Sequence, residues 1–175
     1  MNVTAPHQVL VSETEIFQRM AMLADEIVSA RVQPQMAAVV LVGGFMFAAD
    51  LLRALARRGL HLPAEFFWLR SYGVAREGAR EVSVMIGPTA RVRDHRVLLL
   101  DGILDHGRTI NKATALLQEQ GATSVTSAVM VDRARPDAEA RADYAAFTGL
   151  EGFLIGYGMD DAGHYRGLPY IARVD

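Results

Sequence analysis

The chain has no cysteine among its 175 residues, which excludes disulfide bonds and thiolate zinc sites. It also has no apolar run that approaches the roughly 20 residues needed for a membrane-spanning helix. Residues 1–15 lack the basic stretch followed by an apolar one that marks a secretory signal. We therefore expect a soluble, cytoplasmic protein without a membrane partner.

Basic residues are not in excess, and the formal net charge is −2. A nucleic-acid-binding surface usually requires a basic face, so we expect no nucleic-acid partner. Lys112 is the only lysine among the 18 basic residues. An essential Schiff base or phosphate-binding lysine would have to be this residue, which falls inside a predicted helix at a position typical of solvent exposure.

The pattern of apolar residues predicts one α/β domain with a real hydrophobic core, because the chain has ordinary domain length and half of it is apolar. A capping box at Ser12–Glu15 opens the first helix. Helices are predicted at about 13–30, 45–58 and 109–120, and strands at 37–42, 65–69, 82–86, 97–100, 124–131 and 153–156. Strands that alternate with helices favour a mostly parallel sheet covered on both faces. Residues 70–81 are polar and contain glycine, which is typical of a mobile loop or a long hairpin.

Candidate polar groups follow the carboxyl ends of the predicted strands, where ligands bind in sheets of this kind. These groups are Gly43-Gly44, Arg70-Ser71-Tyr72, Asp101 to Thr109, Asp132-Arg133, and Asp160 with Arg166. Because independent loops would not all carry such groups by chance, the sequence predicts a binding site at this edge of the sheet.

The most informative segment is Val97–Thr109, in which a buried strand ends at Asp101 and a short turn leads into an amphipathic helix. Backbone N–H groups in such a turn, together with the helix dipole, form an anion site. Two carboxylates at its rim, Asp101 and Asp105, suit hydroxyl groups or a metal ion. The combination predicts a ribose phosphate ligand. The alternative is a purely structural turn with Thr109 as the helix cap.

The run Val97–Thr109 resembles the phosphoribosyl diphosphate motif of type I phosphoribosyltransferases. Residues 153–160, followed by Tyr165-Arg166 and 168–171, resemble the bacterial hypoxanthine-guanine branch of that family. Leu41–Gly44 before an aromatic-rich helix and Ser71-Tyr72 agree with it. The resemblance implies a mostly parallel twisted sheet flanked by helices, with a small hood from about residues 1–30 and 150–175 and a mobile loop at about 72–81.

The resemblance also implies an activity. Members of the family transfer the phosphoribosyl group of 5-phosphoribosyl 1-diphosphate to a purine base with the help of Mg²⁺. For this branch the base is a 6-oxopurine, hypoxanthine or guanine, and the products are IMP or GMP and pyrophosphate. A homodimer or homotetramer is expected. Two alternatives stay open: a non-catalytic regulator that binds nucleotides or phosphoribosyl diphosphate, and a dinucleotide-binding oxidoreductase, for which the glycine fingerprint after the first strand is missing.

The family's roles can be carried over residue by residue. Asp105 would act as the acid/base group at purine N7, and Asp101, next to Gly102, would hold the ribose hydroxyls directly or through a metal ion. The implied metal ligands are Asp101 and Asp160. The implied 5′-phosphate site is Asp105, His106, Gly107, Arg108 and Thr109. The implied pyrophosphate site is Val42, Gly43, Ser71, Tyr72 and Arg166, with a strained peptide at Val42–Gly43. The implied purine site is Arg133, Phe153, Leu154 and Asp160.

Three positions depart from the family pattern. Gly102 stands where the family has a second acid, so we expect weaker ribose binding and a lower Michaelis constant for phosphoribosyl diphosphate in Gly102→Asp. An unchanged or raised constant would indicate a turn rebuilt around glycine. His106 replaces a hydroxyl or carboxylate residue, and Arg133 replaces the lysine that reads the purine 6-oxo group. The competing interpretation of Arg133 is a surface ion pair with Asp132 or Asp137.

Overall fold

A computed structural model describes residues 7–71 and 82–174. Its elements are β1 (His7–Val11), α1 (Glu13–Val28), β2 (Met36–Leu41), α2 (Phe45–Ala56), β3 (Ala64–Ser71), β4 (Val82–Ile86), a 3₁₀ turn (Ala90–Val92), β5 (Arg96–Leu104), α3 (Arg108–Glu119), β6 (Ser124–Asp132), β7 (Tyr144–Thr148), β8 (Phe153–Ile155) and β9 (Ile171–Val174). The expected mobile loop at 72–81, Tyr72 within it, and the side chain of Ser71 lie outside this description.

The main sheet has six strands in the order β4-β3-β2-β5-β6-β7, and only β4 runs antiparallel to its neighbour. Alternate residues of the central strands feed two cores. Val39 and Leu98 pack with α1 and α2 on one face, whereas Val40 and Leu99 pack with α3 on the other. The prediction of a mostly parallel sheet covered on both faces is therefore confirmed.

A second sheet joins the two ends of the chain. Its three antiparallel strands are ordered β1-β9-β8, and Ile155, Ile171 and Ala172 are buried in it. Helix α1, which we expected within the hood, instead packs against α2 and β7 of the main body. The N-terminal contribution to the second sheet is thus β1, an element that the sequence pattern did not predict, like β7 and β9.

Helix α1 begins as the sequence predicts. The Ser12 hydroxyl accepts the Glu15 backbone N–H at 3.3 Å, and the Glu15 carboxylate accepts the Ser12 N–H at 2.8 Å. The hydrogen bonds from Ser12 lower the pKa of Glu15. The capping box is therefore confirmed, and it satisfies two backbone donors that the helix itself cannot use.

The segment after Val97 differs from the prediction in two ways. Strand β5 does not end at Asp101 but continues to Leu104, because it stays paired with β6 as far as Asp132. Helix α3 begins at Arg108, and its cap is Gly107 with φ of 85° and no side-chain hydrogen bond. The alternative with Thr109 as the cap is therefore wrong. Within 7–71 and 82–174, no helix is long and apolar enough to cross a membrane.

Candidate active site

A cleft of about 610 Å³ lies at the carboxyl ends of the central strands and beside the second sheet. It is lined by most of the residues that the sequence singled out, namely Val42, Gly43, Asp101, Asp105, His106, Gly107, Arg108, Thr109, Arg133, Phe153, Leu154, Asp160 and Arg166. Gly102 does not line this cleft but lies against the backbone of Gly43, which does. The structure thus brings groups from strands β5 and β8 and from the loops after β2, β5, β6 and β8 into one site.

Asp101 lies within β5 rather than at a rim. It is only 7% exposed, and its Oδ1 accepts the N–H of Gly102 at 2.7 Å. Burial raises the pKa of the Asp101 carboxyl to about 7, against the smaller lowering effect of that hydrogen bond. The expectation of a carboxylate at the rim of the turn was wrong, because the strand continues for three residues beyond Asp101.

Asp105 lies in the turn after β5 and faces basic side chains. The Nδ1 atom of His106 is 3.0 Å from its Oδ2. The guanidinium groups of Arg133 and Arg135 approach its Oδ1 to 3.6 and 3.5 Å. A carboxylate held from both sides is fixed in orientation, and it remains half-buried at the wall of the cleft.

The turn before α3 has the features of an anion site. Gly107 has no side chain with which to cap α3, and within the part of the chain that the structure describes no side chain accepts the N–H groups of its first turn. The loop that follows the carboxyl end of β6 lies against this turn. The Glu139 N–H donates to the His106 carbonyl at 2.7 Å, and the Glu139 carboxylate accepts a hydrogen bond from Arg108 Nε at 2.7 Å. This contact fixes the turn in the absence of a capping side chain.

The turn after β2 differs in one detail from the expectation. The resemblance implied a strained peptide at Val42–Gly43. The structure instead has a cis peptide bond one position earlier, between Leu41 and Val42. The turn is closed by Gly44 N–H donating to the Val40 carbonyl and Phe45 N–H donating to the Val42 carbonyl, both at 3.2 Å. Val42 and Gly43 consequently face the same cleft as Asp101.

Arg133 follows β6 and is 20% exposed. Its Nη2 donates to the Gly152 carbonyl, and its Nη1 faces Asp105. Asp137 pairs with Arg135 instead, at 3.1 Å, and Asp132 accepts backbone N–H groups. The competing interpretation, a surface pair of Arg133 with Asp132 or Asp137, is therefore wrong.

The second sheet supplies the other wall. The Phe153 ring is 54% exposed and lines the cleft, whereas the Leu154 side chain is buried and its backbone faces Arg173 of β9. Asp160 and Arg166 form an ion pair at 2.6 Å, and Arg166 also donates to the Gly158 carbonyl at 2.6 Å. The two charged residues are thus held together at the cleft instead of being separately solvated.

Sequence reasoning missed Arg135 and Glu139. Arg135 contacts Asp105, and Glu139 holds Arg108. The usable signal was that Arg135, like Arg133, directly follows a predicted strand, although the chain is not extended there, since Ala134 has a φ of 52°. Glu139 offered no such signal, since it lies in an irregular loop with no period.

A magnesium site fits the acidic groups of the cleft. Among the described residues no group of three or more His, Asp or Glu side chains could hold a metal by itself. Asp101 and Asp160 both line the cleft. Mg²⁺ commonly takes one or two carboxylates together with substrate phosphates and waters, so this donor set matches its chemistry.

The fold and the cleft define an α/β protein in which a helix N-terminus without a side-chain cap and the carboxylates of Asp101 and Asp105 line one cleft at the edge of the sheet. A family model described as phosphoribosyl transferase domain matches residues 10–162, and the chain belongs to the phosphoribosyltransferase family. The resemblance on Val97–Thr109 is thereby confirmed.

Individual relatives and a solved structure show which members of the family the chain is similar to. The chain is 30% identical to the hypoxanthine phosphoribosyltransferase of Escherichia coli over 172 residues, which cover 95% of this chain and 94% of that protein. It is 32% identical over 166 residues to the bifunctional protein TilS/HprT of Listeria monocytogenes, covering 94% of this chain but only 25% of that longer protein. A structure of the Trypanosoma cruzi hypoxanthine phosphoribosyltransferase superimposes with a TM-score of 0.84 at 28% identity, covering all of this chain and 94% of the other.

Proposed function

We propose that the chain transfers the 5-phosphoribosyl group of 5-phosphoribosyl 1-diphosphate to a 6-oxopurine, hypoxanthine or guanine, in purine salvage. The products are IMP or GMP and pyrophosphate. One observation carries the proposal: a single cleft joins the turn before α3, the turn after β2, and the exposed Phe153 ring beside Arg133. These three parts match the phosphate, pyrophosphate and purine portions of the two substrates.

The 5′-phosphate is assigned to the turn Asp105–Thr109. The first N–H groups of α3 and the positive end of its dipole bind an anion without needing a lysine. Arg108 lies at the same turn, where Glu139 orients its guanidinium. The ribose then lies over the end of β5, where Asp101 accepts its hydroxyl groups.

Proton exchange at purine N7 is assigned to Asp105. Its carboxylate is oriented by His106, Arg133 and Arg135 from different directions. A group that moves a proton must be held at a fixed position relative to the reacting atom, and general acid–base catalysis then contributes about 10²–10⁴-fold. The ion pairs around Asp105 supply that orientation.

The purine is assigned to the space between Arg133 and Phe153. Arg133 already donates to Gly152 and faces Asp105. A guanidinium has five donor hydrogens, so one can still reach the 6-oxo oxygen of hypoxanthine or guanine. Adenine carries an amino donor at this position and would meet Arg133 donor to donor. The exposed Phe153 ring offers a face on which the base can stack.

Magnesium is the proposed cofactor, and Asp101 and Asp160 are its proposed carboxylate ligands, directly or through water. When bound, Mg²⁺ neutralises charge on the pyrophosphate leaving group. Arg166, which pairs with Asp160 at 2.6 Å, lies where it can contact the same pyrophosphate. Calorimetry of Mg²⁺ with pyrophosphate should show weaker binding in Asp160→Asn, a measurement that does not depend on turnover.

A homodimer or homotetramer in the cytoplasm is the proposed assembly and location. The support is the family resemblance and the Trypanosoma cruzi enzyme, whose structure concerns the role of its C-terminal region in oligomeric state and enzymatic activity. Sedimentation velocity on the purified chain tests the assembly, with a monomer at all concentrations as the contrary result.

The experiment that tests the function is an assay of each purine base with phosphoribosyl diphosphate and Mg²⁺, followed by chromatography of nucleoside monophosphates. We expect IMP from hypoxanthine and GMP from guanine, with little AMP from adenine. A folded protein that forms no nucleotide from any base, yet binds phosphoribosyl diphosphate in calorimetry, would instead support the non-catalytic regulator.

A further inference from the structure

The carbonyl oxygen of Gly43 occupies a niche between two glycines from distant parts of the chain. Gly102 belongs to β5, and Gly158 belongs to the segment between β8 and β9. A Cβ atom on Gly102 would lie 2.6 Å from this oxygen and 2.9 Å from its carbon, and one on Gly158 would also collide with the oxygen. The niche exists only because both residues lack a side chain.

The requirement for glycine at position 102 is steric. Gly158 has a φ of 96°, which disfavours any side chain, but Gly102 is not among the residues with positive φ. The backbone at Gly102 would therefore accept another residue. What excludes a side chain there is the backbone of Gly43, which cannot turn aside as a flexible side chain would.

The Gly44 end of the same turn also packs closely against neighbouring backbone. A Cβ on Gly44 would lie 2.7 Å from the Val40 oxygen and 3.1 Å from the Asp101 Cα. The turn Val42–Gly44 thus packs directly on β5, at Asp101 and Gly102. Because backbone packs on backbone at this point, the residue at position 102 determines the distance between the turn and strand β5.

We propose that Gly102 is a positioning residue for pyrophosphate binding: by leaving room for the Gly43 carbonyl, it sets the position of the turn Val42–Gly44 relative to Asp101. The inference rests on the proposed phosphoribosyl transfer. It replaces the expectation that Gly102 is simply a missing ribose ligand. The Cβ atom of an aspartate at this position would enter the space of the Gly43 carbonyl, so Gly102→Asp displaces the turn instead of improving the site.

The consequence is selective. A displaced turn alters contacts with the pyrophosphate part of the substrate, whereas Arg133 and Phe153, to which the base is assigned, belong to the loop after β6 and to strand β8. Misplacement of a binding group by about 1 Å can cost up to about a hundredfold in rate. We therefore expect Gly102 variants to lose affinity for phosphoribosyl diphosphate and for pyrophosphate, but not for hypoxanthine.

The test compares Gly102→Ala and Gly102→Asp with Gly87→Ala as the matched control, because a Cβ on Gly87 meets only Val84 at an ordinary 3.7 Å. The readouts are KM for phosphoribosyl diphosphate, KM for hypoxanthine, inhibition by pyrophosphate, and folding by circular dichroism. Both Gly102 variants should raise the first constant and weaken inhibition by about tenfold or more, with KM for hypoxanthine unchanged. A lowered KM for phosphoribosyl diphosphate in Gly102→Asp, or wild-type constants in Gly102→Ala, would overturn the proposal.

A measurement on the unaltered protein covers the case in which the variants do not fold. A crystal structure with Mg²⁺ and pyrophosphate should show the Gly43 carbonyl still seated between Gly102 and Gly158, with pyrophosphate against the turn. A carbonyl that leaves the niche, or pyrophosphate bound elsewhere, would overturn the proposal. Absence of nucleotide formation by the same protein would refute the proposed reaction and leave this structural result to decide the role of Gly102.

Discussion

Two aspartates, four residues apart on one segment, have opposite surroundings. Asp101 is part of β5, is almost fully buried, and its carboxylate accepts the backbone N–H of Gly102. Asp105 lies just beyond the strand, is half-buried, and is surrounded by His106, Arg133 and Arg135. Burial raises the pKa of Asp101 to about 7, whereas Asp105 faces positive charge.

The comparison shows how one segment can provide two different carboxyl groups. The strand excludes water from Asp101 and gives its carboxylate little polar contact. Hydroxyl groups or a metal ion would therefore supply hydrogen bonds or coordination that the buried carboxylate lacks. The turn instead places Asp105 beside two arginines of the loop after β6, Arg133 and Arg135. The first arrangement suits binding of the sugar, and the second suits a group whose orientation must be fixed for proton exchange.

The largest effect is expected from Asp105→Asn. The amide retains the shape of the turn but cannot exchange a proton, so kcat should fall by about 10²–10⁴-fold, with little change in binding of phosphoribosyl diphosphate. Steady-state kinetics and calorimetry measure the two quantities. Asp137→Asn, a change in the facing loop, is the control and should retain most of the turnover. Near-wild-type kcat in Asp105→Asn would remove this residue from the mechanism.

The second prediction concerns Asp101 and the free energy of unfolding. Its native pKa of about 7 lies above its ordinary 3.8, so the native protein binds more protons than the unfolded chain between these values. The contribution of Asp101 to stability is therefore greatest below about pH 3.8, falls as the pH rises, and levels off above about pH 7. Asp101→Asn removes this decline, because the amide does not ionise.

The free energy of unfolding of Asp101→Asn, relative to that of the wild type, should thus increase by about 2–3 kcal/mol between about pH 5 and about pH 8. Urea unfolding in buffers without divalent ions measures it. Glu151→Gln removes an exposed carboxylate and serves as the control, with no comparable growth. A difference between Asp101→Asn and wild type that is constant across this pH range would show that Asp101 is not desolvated in the native protein.

The fold was largely predictable because its signals are local. The continuous apolar strands predict the sheet, and the capping box at Ser12 predicts the first helix. The polar groups after the strands predict the position of the cleft. The strands β1, β7 and β9 were not predictable in this way. Their residues become strands through pairing with distant segments, as when β1 joins β9 from the opposite end of the chain.

The site was predictable in its membership but not in its contacts. The order of motifs identified Asp101, Asp105 and Arg133, yet it placed Asp101 at a rim because a strand with an acid in it was expected to end there. Pairing of β5 with β6 as far as Leu104 overrides that local signal. The close approach of Gly43 to Gly102 depends on the packing of the turn after β2 on strand β5, which no single-sequence pattern contains.

The third prediction tests whether the cation beside Asp105 also reads the base. Arg133→Met should reduce use of hypoxanthine and guanine together by about tenfold, the lower end of what a hydrogen bond to a charged group contributes. Discrimination against adenine should weaken in parallel, because the donor that opposes the 6-amino group is gone. Competition assays with adenine and hypoxanthine measure both effects. Comparable use of adenine by the wild type would refute this role of Arg133 and the 6-oxopurine assignment.

The smallest effect is expected at the other arginine of the pair. Arg135 approaches Asp105 to 3.5 Å, but its side chain is 41% exposed and its stronger contact is with Asp137. Exposed ion pairs contribute little and are screened by salt, so Arg135→Gln should lower kcat by only about two- to threefold.

The comparison of kcat at low and high ionic strength sharpens this last prediction, since the deficit of Arg135→Gln should shrink as salt rises. Arg91→Gln is the matched control, because Arg91 also faces a carboxylate at 3.5 Å, that of Glu65, and does not line the cleft. It should leave kcat unchanged at both ionic strengths. A salt-independent loss of tenfold or more in Arg135→Gln would mean that Arg135 contacts the substrate itself, and the orientation of Asp105 would then rest on Arg133 and His106.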